Sequence, residues 1–378
     1  MRKKKKQKSL RVVVTLICLM ILIYFIFPIP NCSLNDFDKR AVWVSYQDLS
    51  KLSFENQKSF EKDFKEIVSN AQKQRCNTII VHIRAFSDAL YLSQLFPISS
   101  VITHQTQLSF DPLESMIDLT HQEGLAFEAW INPYRISINK KTYQQFIEHS
   151  MKRKWLNDER YTIHYGTYQY ILNPAHQEVR NYITKGVQEI VQNYDVDGIH
   201  FDDYFYVEGT YRKTTQEERL NHVNALISQV YSTIKNIKED VSFGISPQGN
   251  YENCLIQGAD VDTWLKKEGY VDYVMPQIYW SDSYGLDGNT KMFTKRAKTF
   301  SRLKKHKNIK LYAGLAIYRT GQKDDRDLGW SQRNDNLSNQ IQTLYKYGYD
   351  GYSLFDYSSM MKEEGQKEMS EVFRHHPD

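Results

Sequence analysis

Three carboxylates carry the chemistry that this sequence suggests most directly. Asp202 and Asp203 are adjacent in His200-Phe-Asp202-Asp203-Tyr204, and Glu128 opens Glu128-Ala-Trp130-Ile-Asn132-Pro-Tyr134-Arg135. Cleaving a glycosidic bond takes two carboxyl groups, one to protonate the leaving oxygen and one to act as nucleophile or to activate water. If 198–202 is a strand, Gly198, His200 and Asp202 share one face, while Ile199, Phe201 and Asp203 share the other. The apolar set must face a helix layer, so His200 and Asp202 turn inward and Asp202 is the expected nucleophile or general base. A plainer role is open to it, as the buried partner of Arg84 or Arg135. Asp203 reads equally as a catalytic group or as a loop carboxylate bonded to backbone. Glu128 reads as a deep acid of raised proton affinity or as a structural partner of Arg84.

The side chains around these carboxylates are of the kinds that hold sugars. Trp130, Tyr134, Tyr204, Tyr279 and Trp280 stand near expected strand ends, and flat rings with a polar edge suit the C–H faces of pyranoses. Arg84, Asp88, Asn132, Arg135, His200, Gln277 and Asp356 complete the expected substrate-binding set. Asp88 has an alternative as a turn residue, and Trp43 and Trp264 are expected to be core alone. No HxxEH-type or multi-histidine cluster accompanies His200, so it is expected as an oriented hydrogen-bond partner, with no metal and no cofactor.

These groups need a scaffold that gathers strand ends. β-rich runs at 41–46, 78–83, 126–131, 198–202, 242–246, 273–277, 310–316 and 351–355 alternate with amphipathic stretches. Several runs are almost wholly apolar, as in a parallel sheet covered on both faces. Phe60, Phe64, Ile67, Val68 and Ala71 mark one helix; Asp111-Pro112 opens the next; Val179, Ile183, Val187 and Ile190 mark another. Leu220, Val223, Ile227, Val230, Ile234 and Ile237 mark a fourth, and later helices fit 259–268, 290–305, 335–347 and 363–374. Eight strand-helix units predict an α/β fold, a (β/α)8 TIM barrel, with insertions after the third strand (136–177) and the fourth (204–216). A doubly wound open sheet fits less well, because no glycine-rich phosphate loop follows the first strand. In such barrels the active site lies at the C-terminal strand ends, where these polar strings fall.

The chain has 378 residues with 49 basic and 45 acidic groups. Seven of the cations stand in residues 1–11 without an acid; 49 less seven leaves 42 basic against 45 acidic groups elsewhere. A slightly acidic body gives no electrostatic reason to bind nucleic acid. Residues 12–30 are almost wholly apolar and uncharged, long enough to span a bilayer, and the basic flank predicts an N-terminus inside. The expected organisation is a cytoplasmic basic segment at 1–11, a single transmembrane helix as anchor at 12–30, and the barrel at 36–374. The barrel is therefore placed outside a bacterial cell membrane; a cleaved signal peptide or lipidation at Cys32 would export it as well. Cys18, Cys32, Cys76 and Cys254 have no regular spacing, which predicts buried free thiols.

From Lys39 to Ser359 the chain resembles the glycosyl-hydrolase-like 10 family of bacterial exported proteins. The matching strings are Arg84-Ala-Phe-Ser-Asp88-Ala-Leu-Tyr91, Asp111-Pro-Leu, Ala129-Trp-Ile-Asn-Pro-Tyr-Arg135, Asn173-Pro174, Tyr194-Asp-Val-Asp-Gly-Ile-His-Phe-Asp-Asp-Tyr204, Ile245-Ser-Pro247 and Asp272-Tyr-Val-Met-Pro-Gln-Ile-Tyr-Trp280. Ser87, Ile98 and Val207 depart from the pattern. The resemblance implies a TIM barrel and hydrolysis of O-glycosidic bonds at the cell envelope, on a polysaccharide or peptidoglycan-like glycan. A barrel that binds glycan without cleaving it is the alternative. The resemblance carries no assignment of acid and base, so those roles rest on strand parity.

Overall fold

The near-continuous apolar runs become the eight parallel strands of a closed barrel. The computed structural model describes residues 32–150, 158–211, 213–304 and 306–377. The barrel strands are β1 (Lys39–Val44), β2 (Thr78–Arg84), β3 (Ala126–Ile131), β7 (Gly198–Phe201), β8 (Ser242–Ile245), β9 (Tyr273–Val274), β10 (Lys310–Leu315) and β11 (Gly351–Leu354). They pair in chain order and close through β1 against β11. β9 is shorter than the expected 273–277 because Pro276 has no N–H for the ladder; pairing resumes as single bridges of Gln277 to Gln248 and to Gly314.

Alternation sorts the side chains. Ala41, Trp43, Ile80, Trp130, Tyr273, Met275 and Tyr312 fill the barrel interior, with Phe355 packed against them. The opposite parity, including Val42, Ile79, Val81, Phe127, Ile199, Phe243 and Leu354, packs with the helices in a larger outer core. Each such apolar side chain contributes roughly 1.5–3 kcal/mol on burial. The helix Gln57–Lys73 buries Phe60, Phe64, Ile67, Val68 and Ala71, as its spacing predicts. The helix Pro112–Gln122 starts where expected, with the Asp111 carboxylate accepting the Leu113 N–H at 3.0 Å and Pro112 in its first turn. The helix expected at 259–268 is only Val261–Trp264, preceded by Tyr251–Ile256. Gly258 and Gly269, both at φ near +90°, stop the chain from continuing as helix on either side.

The insertion after β3 folds as a small antiparallel sheet. Its strands β4 (Arg135–Ser137), β5 (Thr162–Gly166) and β6 (Gln169–Leu172) lie in the order β4-β6-β5, with the helix Lys140–Ser150 between β4 and β5 in the chain. The expected anchor at 12–30 lies outside the described residues, and no helix among the described residues is long and apolar enough to cross a membrane. Cys32, Cys76 and Cys254 are buried free thiols.

Candidate active site

Two strands carry inward residues from the barrel floor up to its C-terminal mouth. On β7 they run Gly198, His200 and then Asp202; on β3, Glu128, Trp130 and then Asn132. Asp202 is 6% exposed, and its Oδ1 accepts the Tyr204 N–H at 3.2 Å. Burial pushes its carboxyl up to about 7; Arg135 opposes the rise and the neighbouring Asp203 charge adds to it. The Trp130 indole N–H also favours the anion, although it leans toward the carboxyl without reaching good hydrogen-bond geometry. Asp203 is half-buried. Burial raises its carboxyl too, while its own backbone N–H and the side chains of Gln248 and Gln277 favour the anion.

Arg135 is the cation beside this pair. Its Nε donates to the Ala85 carbonyl at 2.8 Å, and its guanidinium lies 4.7 Å from the Phe86 ring centre and 5.1 Å from that of Tyr204. Its Nη2 is buried without a protein acceptor. The loop that holds Arg135 is itself stapled by Asp88, which accepts N–H groups from Ala85 at 3.1 Å and Phe86 at 2.8 Å and the Gln145 amide at 3.0 Å. Asp88 is wholly buried, so it serves as the turn residue and does not face the mouth.

His82 stacks on Trp130 with ring centres 3.7 Å apart, and burial, aided by the Arg135 charge, holds its imidazole neutral. Asn132 leans toward His82. Tyr279 stacks on Phe355 and meets the edge of Tyr318, and the charges of Asp203, Asp356 and Asp202 all reach its hydroxyl. Tyr204 meets Tyr165 hydroxyl to hydroxyl at 2.6 Å. Tyr165 comes from β5 of the insertion, and nothing in the sequence singled it out.

Several expected contacts lie elsewhere. Arg84, expected at the strand end as a substrate contact, is carried by a β-bulge between His82 and Arg84 onto the outward face, opposite Ile131. There its guanidinium lies 3.7 Å from the Phe96 ring centre, against the helix Gln177–Asn193. Tyr134 is wholly buried in the outer core beside Phe205. Trp280 packs on the same outer layer, with Arg296 over its ring. Asp356 lies just past the end of β11 and accepts the Ser359 N–H at 3.0 Å as a helix cap, with its charge still reaching Tyr279. Glu128 sits at the barrel floor, ion-paired to Lys39 and not to Arg84, and accepts the Tyr273 hydroxyl at 2.6 Å. His200 is wholly buried with both ring nitrogens bonded to protein, so it lies behind the mouth. Among the described residues, no three His, Cys, Asp or Glu side chains cluster as a metal site would require.

A family model described as glycosyl hydrolase-like 10 matches residues 38–332. The chain belongs to that family. It is 31% identical over 338 residues to the glycosyl hydrolase YngK of Bacillus subtilis (strain 168), covering 79% of this chain and 64% of YngK. It is 30% identical over 309 residues to the glycosyl hydrolase DigH of Escherichia coli (strain K12), covering 70% of this chain and 67% of DigH. The chain thus spans about two-thirds of the length of these relatives. In fold it is similar to the PgaB (BpsB) glycoside hydrolase domain of Bordetella bronchiseptica, with a TM-score of 0.59, 10% identity and coverage of 88% of this chain and 98% of that domain.

Proposed function

We propose that this glycosyl hydrolase-like 10 barrel cleaves O-glycosidic bonds of a cell-wall or other extracellular glycan with the Asp202–Asp203 pair. The observation that carries this reading is the setting of the pair: two adjacent carboxyl groups of raised proton affinity, flanked by one cation, at the C-terminal mouth of the barrel. Around them stand polar atoms of His82, Trp130, Asn132 and Arg135 that have no well-formed protein partner, the kind of lining a polyhydroxylated ligand satisfies. Tyr204, Tyr279 and Trp130 supply the rings.

The hydrogen bonds favour a division of labour that strand parity did not predict. Two neighbouring amides favour the Asp203 anion, and an Asp203 charge helps keep a proton on Asp202. Asp202 is therefore the general acid that protonates the leaving oxygen, and Asp203 is the carboxylate that faces the developing positive charge or activates water. Arg135 limits the rise of both carboxyls, so that Asp202 can give up its proton near neutral pH. Glu128 is a pillar of the floor. Residues 12–30 tether the barrel to the membrane in this reading, as their length and basic flank suggest.

Incubating the purified protein with isolated cell-wall glycan and counting new reducing ends tests the reading. Steady release of ends supports hydrolysis. Retention of the glycan without release would leave a binding barrel instead.

A further inference from the structure

A buried hydrogen-bond chain rises from the barrel floor to the Ser246 hydroxyl, beneath Asp203. It starts at the Lys39–Glu128 ion pair, 11% and 3% exposed. The Tyr273 hydroxyl donates to Glu128 Oε2 at 2.6 Å and lies 2.7 Å from His200 Nδ1. A phenol has one proton, and here the carboxylate takes it, so the tyrosine oxygen must accept from Nδ1–H. His200 is wholly buried beneath the mouth, which disfavours its cation, so Nε2 keeps its lone pair. That lone pair faces the Ser246 hydroxyl at 2.9 Å and the Trp43 indole N–H at 3.3 Å. The backbone carbonyl of Ser246 in turn accepts the Gln277 amide at 2.9 Å, and Gln277, like Gln248, is near enough to favour the Asp203 anion. Two strand glycines clear the path. A side chain at Gly244 would run into the Tyr273 ring, and one at Gly198 would run into Glu128 and Ser242.

We propose that His200 is a positioning residue: Glu128 and Tyr273 fix its proton on Nδ1, and it anchors Ser246, whose carbonyl seats the Gln277 amide beside Asp203. This rests on the hydrolase reading only for its consequence in turnover. The chain makes the direction of the ring proton a property of the floor, some distance below the mouth. A core network with no positioning role would cost stability when cut and would leave Asp203 unchanged.

Glu128→Gln separates the two. The glutamine must turn its oxygen to the Lys39 ammonium, so its amide N–H meets the Tyr273 oxygen. Tyr273 then donates to His200 Nδ1, the ring proton moves to Nε2, and Nε2–H confronts the Trp43 N–H. In protein labelled with ¹⁵N-histidine, the His200 signals are expected to switch from the Nδ1–H to the Nε2–H pattern. The ¹³C carboxyl titration of Asp203 is expected to move to higher pH, and kcat to fall by about 10- to 100-fold, as for other supporting residues, with KM nearly kept. Tyr273→Phe leaves the ion pair whole and removes only the relay hydroxyl, and the same upward move of Asp203 is expected. An Nε2–H pattern in the unmutated protein overturns the proposal, as does an Asp203 titration unmoved in either folded variant. The two titrations need no substrate, so an unmutated protein that cleaves nothing would sink the hydrolase reading and leave this one standing.

Discussion

Arg84 and Gly186 occupy one space: a Cβ on Gly186 would stand 2.5 Å from Arg84 Nη1 and 2.6 Å from the Phe96 ring. The bulge in β2 sends Arg84 outward, and the helix Gln177–Asn193 receives it only where it has no side chain. Alanine in a helix gains about 1 kcal/mol over glycine. Forcing a methyl into a filled layer costs about 1–3 kcal/mol. The clash wins here because Arg84 is wholly buried and pinned on the Phe96 face. Gly186→Ala is expected to lower stability by about 1 kcal/mol in urea unfolding; a gain would mean that Arg84 moves freely.

Turnover should depend on both mouth carboxyls. Asp202→Asn and Asp203→Asn are each expected to lower kcat by at least about 10²-fold while glycan binding is largely kept. Single-turnover rates beside binding isotherms check this. Near-normal rates in either variant would remove that residue from the chemistry.

The raised carboxyl of Asp202 also has a cost in stability, with a defined sign. Its folded value, about 7, lies above the unfolded one of about 3.9. The folded state therefore holds this proton more tightly, and the stability it contributes is full at acid pH and lost as pH rises through about 7. Asp202→Asn cannot ionise. It is expected to raise the thermal midpoint relative to the unmutated protein at pH 8 and to leave it nearly unchanged at pH 4. Equal effects at both values would show that Asp202 ionises without penalty. If Asp202 is the general acid, the same proton is expected to make kcat fall above neutrality, since the acid form is then depleted.

The folded body begins ahead of residue 36. Cys32 is 1% exposed, with its Sγ 3.2 Å from His376 Nδ1, and the Leu34 N–H donates to the Pro377 carbonyl at 3.2 Å. A protein starting at Cys32 is expected to keep its full thermal midpoint. One starting at Asn35 loses a buried leucine and should be less stable by about 2–5 kcal/mol, the usual result of emptying such a site. Parallel melting curves of the two decide it.

Local periodicity carried much of this protein. Each of the eight barrel strands could be read from an apolar run, and several of the long helices from spacings of three and four, because those patterns depend on residues close in the chain. The inward parity of His200 and Asp202 followed from the same alternation. Only the tertiary structure decided the rest. The bulge that turns Arg84 outward leaves every residue type in β2 plausible on either face. The partner of Glu128 depends on which strand ends meet at the floor, and that is how Lys39, 89 residues away, takes the place expected for Arg84. Tyr165 reaches Tyr204 because an insertion folds back over the mouth. Even the proton affinity of Asp203 turns on Gln248 and Gln277, brought in from the next two strands. Secondary structure is set by near neighbours, whereas the proton affinity of a buried carboxyl is set by whatever the fold packs around it.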